Sequence, residues 1–290
     1  MTTLGAIFRP DLPPERLHAV ARAADEAGLD ELWLWEDCFK EGGVAAAAAA
    51  LAWTDRVRIG IGVFPVPLRN VALAAMEIAS LDRLFPGRFI VGVGHGVQEW
   101  MAQIGMGVDS PLTMLREYLT ALRALLRGEQ VSTDGRYVRL DAVALDWPPE
   151  TAPAILAGAV GPRTLQLSGQ HADGTILTAA TSPDRLRLAR IHIDEGRAAA
   201  ARTDPHPVVV YLQVATGPNA AQRLAAEQRR SGSDPSEEVG VAGDAGAVVD
   251  AARRLETAGA DSVVLQPTAD EPDPVGFVRF VGSEIRPLLH

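Results

Sequence analysis

The feature that most constrains this chain is a regular alternation of short apolar segments with longer helical segments. Several apolar segments have no polar interruption, which is typical of parallel strands covered on both faces. The predicted strands are 4–8, 31–35, 57–63, 89–93, 154–157, 174–177, 207–215 and 262–266. The predicted helices are 13–27, 43–53, 69–84, 111–127, 162–170, 182–201, 218–230, 244–258 and 273–288. The chain is therefore predicted to be an α/β protein.

Eight successive β-then-α units predict a (β/α)₈ TIM barrel with short insertions, formed as one domain over residues 1–290. An open, doubly wound sheet is the alternative, because a sequence pattern counts strands but does not close them. Two segments interrupt the alternation. Residues 130–146 predict a hairpin with Asp134 and Gly135 at its turn. Residues 229–242 are polar and predict an excursion near the end of the barrel.

The charge balance narrows the class of partner. The chain carries 27 Lys and Arg against 37 Asp and Glu, a formal charge of −10 that disfavours nucleic acid and anionic membranes. No segment reaches the ~18 apolar residues of a membrane span, and no secretory signal pattern opens the chain. The single cysteine, Cys38, excludes a disulfide framework within the chain. We therefore expect a cytoplasmic protein that acts on a small molecule.

Two carboxylates follow the second predicted strand, where a barrel of this kind has its active site. They are Glu36 and Asp37, and burial or mutual repulsion that raises the pKa of one would make it a proton donor or acceptor. The alternative is that both are solvated loop charges or cap the next helix. Cys38 follows them without an evident catalytic partner.

Glycines cluster at the ends of the third and fourth predicted strands. Gly60 and Gly62 alternate inside one strand, which indicates a bulge or the close approach of another group. Gly94 and Gly96 flank His95, with a spacing that does not match a dinucleotide-binding fingerprint. We expect the glycines of the third strand to approach a ligand, with an ordinary strand end as the alternative, and those of the fourth strand to make room for a flat ring system. His95 would then donate to a cofactor carbonyl or relay a proton, or else be a structural histidine.

The fifth predicted strand leads through small residues into a helix that has proline in its first turn. Residues 158–163 would leave backbone N–H groups free at the helix start, a ready phosphate site, with Arg163 or Thr164 as further donors. The alternative is a tight turn that needs glycine only for its geometry. Motifs for Walker-type nucleotide binding, zinc proteases and serine hydrolases are absent from the sequence.

Taken together in this order, these segments resemble the bacterial luciferase-like superfamily of flavin- and deazaflavin-dependent oxidoreductases. The resemblance covers nearly the whole chain. It is carried by 26–33 (EAGLDELW), 55–63 (DRVRIGIGV), 81–96 (LDRLFPGRFIVGVGHG), 116–126 (REYLTALRALL), 161–162 (GP) and 172–174 (ADG).

The resemblance implies a TIM barrel that holds FMN or coenzyme F420 at the carboxyl-terminal ends of its strands, and it suggests a homodimer. In such enzymes a non-proline cis peptide often lies behind the ring, and its position here would be Gly62–Val63. Gly94 and Gly96 would lie beside the ring. The phosphate-binding turn would comprise Gly158, Ala159, Gly161, Pro162 and Arg163.

One departure from the family pattern affects the chemistry. Many relatives have an acidic residue followed by histidine at the second strand end, whereas this chain has Glu36 followed by Asp37. The candidates for the proton partner are therefore Glu36, Asp37 and His95. Four aromatic residues are candidates for the pocket wall, and they are Trp33, Trp35, Phe64 and Trp100, with a place in the core as the equal alternative for Trp33.

The short chain favours coenzyme F420 and hydride transfer to or from a small organic substrate. One alternative is an FMN-dependent monooxygenase of the same superfamily. A second alternative is a non-catalytic flavin-binding protein, which the missing histidine allows.

Overall fold

A computed structural model describes residues 2–232 and 238–289. Among these residues, eight parallel strands close into a barrel in the order β1-β2-β3-β4-β7-β8-β9-β11, and β11 pairs with β1. The barrel strands are β1 Thr3–Ile7, β2 Glu31–Leu34, β3 Arg58–Pro65, β4 Phe89–Gly94, β7 Ile155–Gly158, β8 Gly174–Leu177, β9 Val208–Ala215 and β11 Ser262–Pro267. This closure confirms the TIM barrel and excludes the open doubly wound sheet.

Helices cover the outside of the barrel. Those in the first half are α1 Leu17–Glu26, α2 Gly43–Trp53, α3 Val71–Leu84, α4 Gln98–Gln103 and α5 Pro111–Leu126. Those in the second half are α6 Pro162–His171, α7 Pro183–Ala199, α8 Ala220–Ser231, α9 Ala245–Ala258, α10 Pro274–Phe280 and α11 Arg286–Leu289. Side-chain caps start several of them, as when Ser182 accepts a hydrogen bond from the Arg185 N–H. In the described parts of the chain, no helix combines the length and the apolar character needed to cross a membrane.

The structure describes all of the first insertion and part of the second. The predicted hairpin is confirmed as the antiparallel strands β5 Val131–Asp134 and β6 Arg139–Val143. Its turn is longer than a two-residue turn, since the Gly135 N–H donates to the Val138 carbonyl. The predicted polar excursion falls partly on residues 233–237, outside the described residues. Beyond them the short strand β10 Gly240–Ala242 extends the sheet beside β9.

Two apolar cores stabilise the fold, one between barrel and helices and one inside the barrel. The inner core is built around Trp33, whose side chain is fully buried. A Cβ placed on Gly60 would lie only 2.6 Å from the Trp33 ring. Gly60 therefore makes room for a core tryptophan, which corrects our expectation that the glycines of β3 both approach a ligand.

Helices α6 and α7 cross at unusually close range. A Cβ on Gly169 would lie 2.1 Å from the Ile193 carbonyl oxygen, and one on Gly196 would lie 2.0 Å from the Gln166 carbonyl oxygen. The two glycines let the backbones touch. This contact holds the second half of α6, the helix after β7, against α7.

Candidate active site

A cavity of about 540 Å³ opens at the carboxyl-terminal ends of the barrel strands. Its lining comes from within β3, β9 and β11, from the segment after β2, and from the ends of β4, β7 and β8 with the residues that follow them. The lining residues are Trp35, Glu36, Asp37, Gly62, Val63, Pro65, Gly94, His95, Gly96, Val97, Trp100, Gly158, Ala159, Val160, Gly161, Thr164, Ile176, Thr178, Ala179, Tyr211 and Gln266. The structure therefore brings together the predicted site residues of four separate loops, with the exception of Pro162 and Arg163.

The floor of the cavity is centred on Val63. The Gly62–Val63 peptide bond is cis, as the family resemblance implied. A Cβ on Gly94 would lie 2.8 Å from one Val63 methyl carbon, and a Cβ on Gly158 would lie 3.0 Å from the other. The side chain of Val63 thus occupies the space that these two glycines leave. The glycines accommodate the floor residue, and Val63 presents the surface on which a ring could rest.

Tyr211 supports this floor from inside the barrel. Its hydroxyl donates to the Gly62 carbonyl oxygen over 3.3 Å. A Cβ on Gly62 would lie 1.9 Å from the same hydroxyl oxygen, so only glycine fits there. On its other side Tyr211 stacks on Trp35, with ring centroids 6.0 Å apart and an interplanar angle of 27°. Floor and aromatic wall are therefore one packed unit.

The turn between β7 and α6 forms the other end of the cavity. Gly161 is the N-cap of α6, no side chain caps this helix, and a Cβ on Gly161 would meet open space. The first turn of a helix carries the positive end of the helix dipole, and here Pro162 has no N–H and the Thr164 N–H donates to the Gly161 carbonyl oxygen, so the Arg163 N–H is the first-turn donor left for a ligand. This end of the cavity can therefore hold a phosphate. Pro162 and Arg163 lie just outside the lining, and Arg163 is exposed beside it.

Glu36 is buried, and both of its carboxylate oxygens accept hydrogen bonds. Its two carboxylate oxygens accept hydrogen bonds from Arg69 at 2.6 and 2.7 Å, and one of them also accepts from the Gly43 N–H at 3.0 Å. Arg69 further pairs with Glu77 at 3.2 Å and lies over the Phe64 ring. This geometry suits a residue that positions the loop after β2 rather than one that exchanges protons.

Asp37 has no such counter-ion. Burial raises the pKa of its half-buried carboxyl group above the usual range. The nearby cations are engaged elsewhere, because Lys40 binds Asp11 at 2.5 Å and Arg9 is held between Asp11 and Glu227. Among the described residues, no cation lies within ion-pair distance of Asp37. It is the carboxylate in the cavity that remains available to a ligand.

His95 follows β4 and lines the cavity. Its Nε2 atom is buried and has no hydrogen-bond partner among the described residues. Burial lowers the pKa of the imidazole below its usual value, so the neutral ring is favoured. An unpartnered ring nitrogen beside an apolar floor and an uncapped helix start fits a flat, phosphate-bearing cofactor.

The predicted wall residues divide into two pairs. Trp35 and Trp100 line the cavity, as expected. Trp33 instead fills the barrel interior, where its indole N–H donates to Glu31 at 2.8 Å. Phe64 is buried against Phe89 and Arg69. Trp33 and Trp35 lie two positions apart and so point to the same side, but β2 ends at Leu34, so Trp33 lies within the barrel and Trp35 just beyond the strand end, at the cavity.

Several lining residues were not predicted. Thr178, Ala179, Tyr211 and Gln266 come from β8, β9, β11 or the residues just after them. The rule that active sites lie at the carboxyl-terminal strand ends would have found Gln266, the last polar residue of β11. Tyr211 carries a weaker signal, since it is an isolated hydroxyl within an apolar strand. For Cys38, burial and the charges of Glu36 and Asp37 raise the thiol pKa, which disfavours a nucleophilic role.

The chain was compared with known proteins. The sequence pattern of the luciferase-like monooxygenase family matches residues 4–237. The chain is 31% identical over 229 residues to a 5,10-methylenetetrahydromethanopterin reductase of Methanolobus tindarius, covering 78% of this chain and 69% of that protein. It is 32% identical over 253 residues to an F420-dependent glucose-6-phosphate dehydrogenase of Kineococcus radiotolerans, covering 77% and 74%.

The fold was also compared with solved structures. An F420-dependent secondary alcohol dehydrogenase in complex with an F420-acetone adduct superposes with a TM-score of 0.89 at 21% identity. The superposition covers 100% of this chain and 99% of that one. At this identity the match establishes the shared barrel over the whole length.

Proposed function

The chain belongs to the luciferase-like monooxygenase family, and from this premise we propose that it is an oxidoreductase using coenzyme F420. It would transfer hydride between this deazaflavin and a small organic substrate. The observation that carries the proposal is one cavity that joins an apolar floor, an unpartnered imidazole nitrogen and an uncapped helix start. The relatives named for F420 dependence support the choice of cofactor.

Each part of the cavity has a distinct task in this proposal. Coenzyme F420, when bound, supplies the hydride chemistry. Val63, supported by Gly62, Gly94 and Gly158, bears the ring. The first turn of α6 would hold the phosphate. The residues proposed to bind the cofactor are Gly62, Val63, Gly94, Gly96, Gly158, Ala159, Gly161, Pro162 and Arg163.

Asp37 is proposed to exchange a proton with the substrate. His95 is proposed to donate or accept a hydrogen bond to the cofactor ring. Asp37 has the raised pKa and the free carboxylate that proton transfer needs. Glu36, which sequence reasoning treated as an equal candidate, is proposed to act through position alone, because Arg69 and Gly43 occupy its oxygens.

Cofactor binding can be measured directly. Trp35 and Trp100 line the cavity, so titration with F420 should quench the intrinsic fluorescence, with a dissociation constant in the micromolar range or below. Gly161→Asp should weaken F420 binding by about tenfold or more, because the added carboxylate would occupy the phosphate end. Tight FMN binding without F420 binding would overturn the proposal.

Gly42→Asp is the matched control for this variant. Gly42 is also a helix N-cap glycine in extended conformation whose Cβ would meet open space, and it lies outside the cavity lining. Aspartate is a favourable N-cap residue, so both variants should fold. Only Gly161→Asp should change the affinity for F420.

Two alternative functions remain to be separated by experiment. The description of the family favours an FMN-dependent monooxygenase, which would purify with or bind FMN and consume oxygen with substrate. Aspartate at position 37 instead of histidine favours a non-catalytic flavin-binding protein. That protein would bind cofactor tightly but would not reduce it with any member of a broad substrate panel.

We also propose that the protein is a cytoplasmic homodimer built from one domain per chain. The pairing of β1 with β11 joins the two ends of the chain in one barrel, which supports a single domain. Leu73, Met76 and Leu84 are exposed along one face of α3 and support the dimer. The single thiol and the negative charge are consistent with the cytoplasm.

A further inference from the structure

We propose that the substrate of this cavity is an uncharged, largely apolar alcohol or carbonyl compound, and that phosphorylated or carboxylated substrates are rejected. This inference rests on the proposed function, since it assumes that the cofactor ring occupies the Val63 floor and the substrate the remaining space.

The first argument is the distribution of charge around the cavity. Among the described lining residues, the charged side chains are Glu36 and Asp37, and neither lysine nor arginine lines the space. Arg69 neutralises Glu36 through a two-point hydrogen-bonded ion pair. The uncompensated charge that a substrate meets is therefore the negative charge of Asp37.

The second argument is that the two cations near Asp37, Arg9 and Lys40, are already paired. Arg9 lies over the Trp35 ring at 5.5 Å, but its guanidinium binds Asp11, Glu227 and the Pro267 carbonyl oxygen. Lys40 is held by the other Asp11 oxygen. An anionic substrate would have to compete with these pairs to gain a counter-ion, and drawing Arg9 away would leave the buried Glu227 without one of its partners.

The third argument is the apolar rim of the cavity. Val97 and Val160 line the space and are 45% and 70% exposed, and Trp35 and Trp100 add aromatic surface. Covering such surface favours an apolar ligand body. Besides Asp37 and the Nε2 atom of His95, the lining offers uncharged polar side chains, and these are Thr164, Thr178, Tyr211 and Gln266. A ligand hydroxyl or carbonyl group can therefore be bound without a counter-ion.

The size of the discrimination follows from Coulomb's law. A second negative charge about 6 Å from Asp37, at the effective dielectric constant of a protein surface site, weakens binding by about a hundredfold. The experiment uses enzyme loaded with F420 and pairs of ligands with one shape. Examples are trans-4-methylcyclohexanol with trans-4-hydroxycyclohexanecarboxylate, the matching ketones, and glucose 6-phosphate as a phosphorylated probe.

Two readouts are compared for each pair, the dissociation constant from tryptophan quenching and kcat/KM from reduction or oxidation of the cofactor. We expect neutral members to bind about a hundredfold more tightly than their anionic counterparts. Equal or tighter binding of the anions, or no binding of any neutral member, would overturn the inference. Failure of F420 itself to bind would instead refute the proposed function, so the two failures are distinguishable.

Two variants test the electrostatic cause. Asp37→Asn removes the charge with little change in shape, so the preference for neutral ligands should fall to a few-fold. Val97→Lys adds a cation on the rim and should tighten carboxylate binding, whereas Leu188→Lys, on an exposed position of α7, changes the net charge equally outside the cavity. If Leu188→Lys has the same effect as Val97→Lys, the preference does not arise in the cavity.

Discussion

The ion pairs of Arg69 show how a residue far along the chain decides the role of a candidate catalytic group. Arg69 lies 33 residues after Glu36 and joins it to Glu77 of α3. The position of Glu36 could be predicted from the sequence, because it directly follows a strand. Its partner could not be predicted, because that pairing depends on how the loop before α3 folds back over the loop after β2.

At this scale we predict that Arg69→Met lowers the free energy of unfolding by about 3–5 kcal/mol, because it leaves two poorly exposed carboxylates without their counter-ion. Arg69→Lys should recover only part of this loss, since an ammonium group cannot reproduce the two-point contact. Urea denaturation provides the measurement.

The control is Arg22→Met, which removes an exposed pair with Glu26 and should cost less than about 1 kcal/mol. Similar losses in the two methionine variants would show that burial adds nothing to the Arg69 pairs.

Secondary-structure elements were predictable where they are long and periodic. The barrel strands and the major helices agree with the sequence pattern, apart from their ends. Helix α4 was missed because it has six residues and no side-chain cap. The last predicted helix, 273–288, is divided by a π-helical turn at Val281–Ile285, a change of hydrogen-bond pattern that apolar periodicity does not register.

For the crossing of α6 and α7, Gly169→Ala should lower the free energy of unfolding by about 1–3 kcal/mol, since its Cβ would overlap the Ile193 carbonyl oxygen. This loss should appear even though alanine is the better helix former by about 1 kcal/mol. Gly246→Ala, in the first turn of α9, is the control, because its nearest neighbour would lie at 3.5 Å. Thermal or urea unfolding gives the free energy of each variant. If Gly169→Ala raised the free energy of unfolding as Gly246→Ala does, the close contact between α6 and α7 would be contradicted.

At the scale of the whole molecule, the number of β-then-α units was predictable but closure was not. Closure depends on the parallel pairing of β1 with β11 and of β8 with β9, and neither pairing has a local sequence signal. The exposed apolar face of α3 was likewise not evident from the sequence. Which apolar residues of a helix stay exposed depends on the side that packs against the barrel.

If α3 forms the proposed dimer interface, the double variant Leu73→Glu and Met76→Glu should be monomeric at concentrations where the unmodified protein is dimeric. Two carboxylates per chain would be desolvated across the symmetry axis. Light scattering coupled to size-exclusion chromatography measures the mass. Leu188→Glu and Ile191→Glu, exposed on α7, should leave the dimer intact, and a dimer that survives the α3 changes would place the interface elsewhere.

The contact of Val63 with Gly94 and Gly158 has a consequence for how this cavity can evolve. Positions 62, 63, 94, 158 and 211 share one volume, so a larger side chain at any of them requires a smaller one at a neighbour. Such positions should covary among relatives rather than drift independently. A designer who wishes to reshape the ring site would therefore need coordinated replacements across four strands, and single substitutions would be poor starting points.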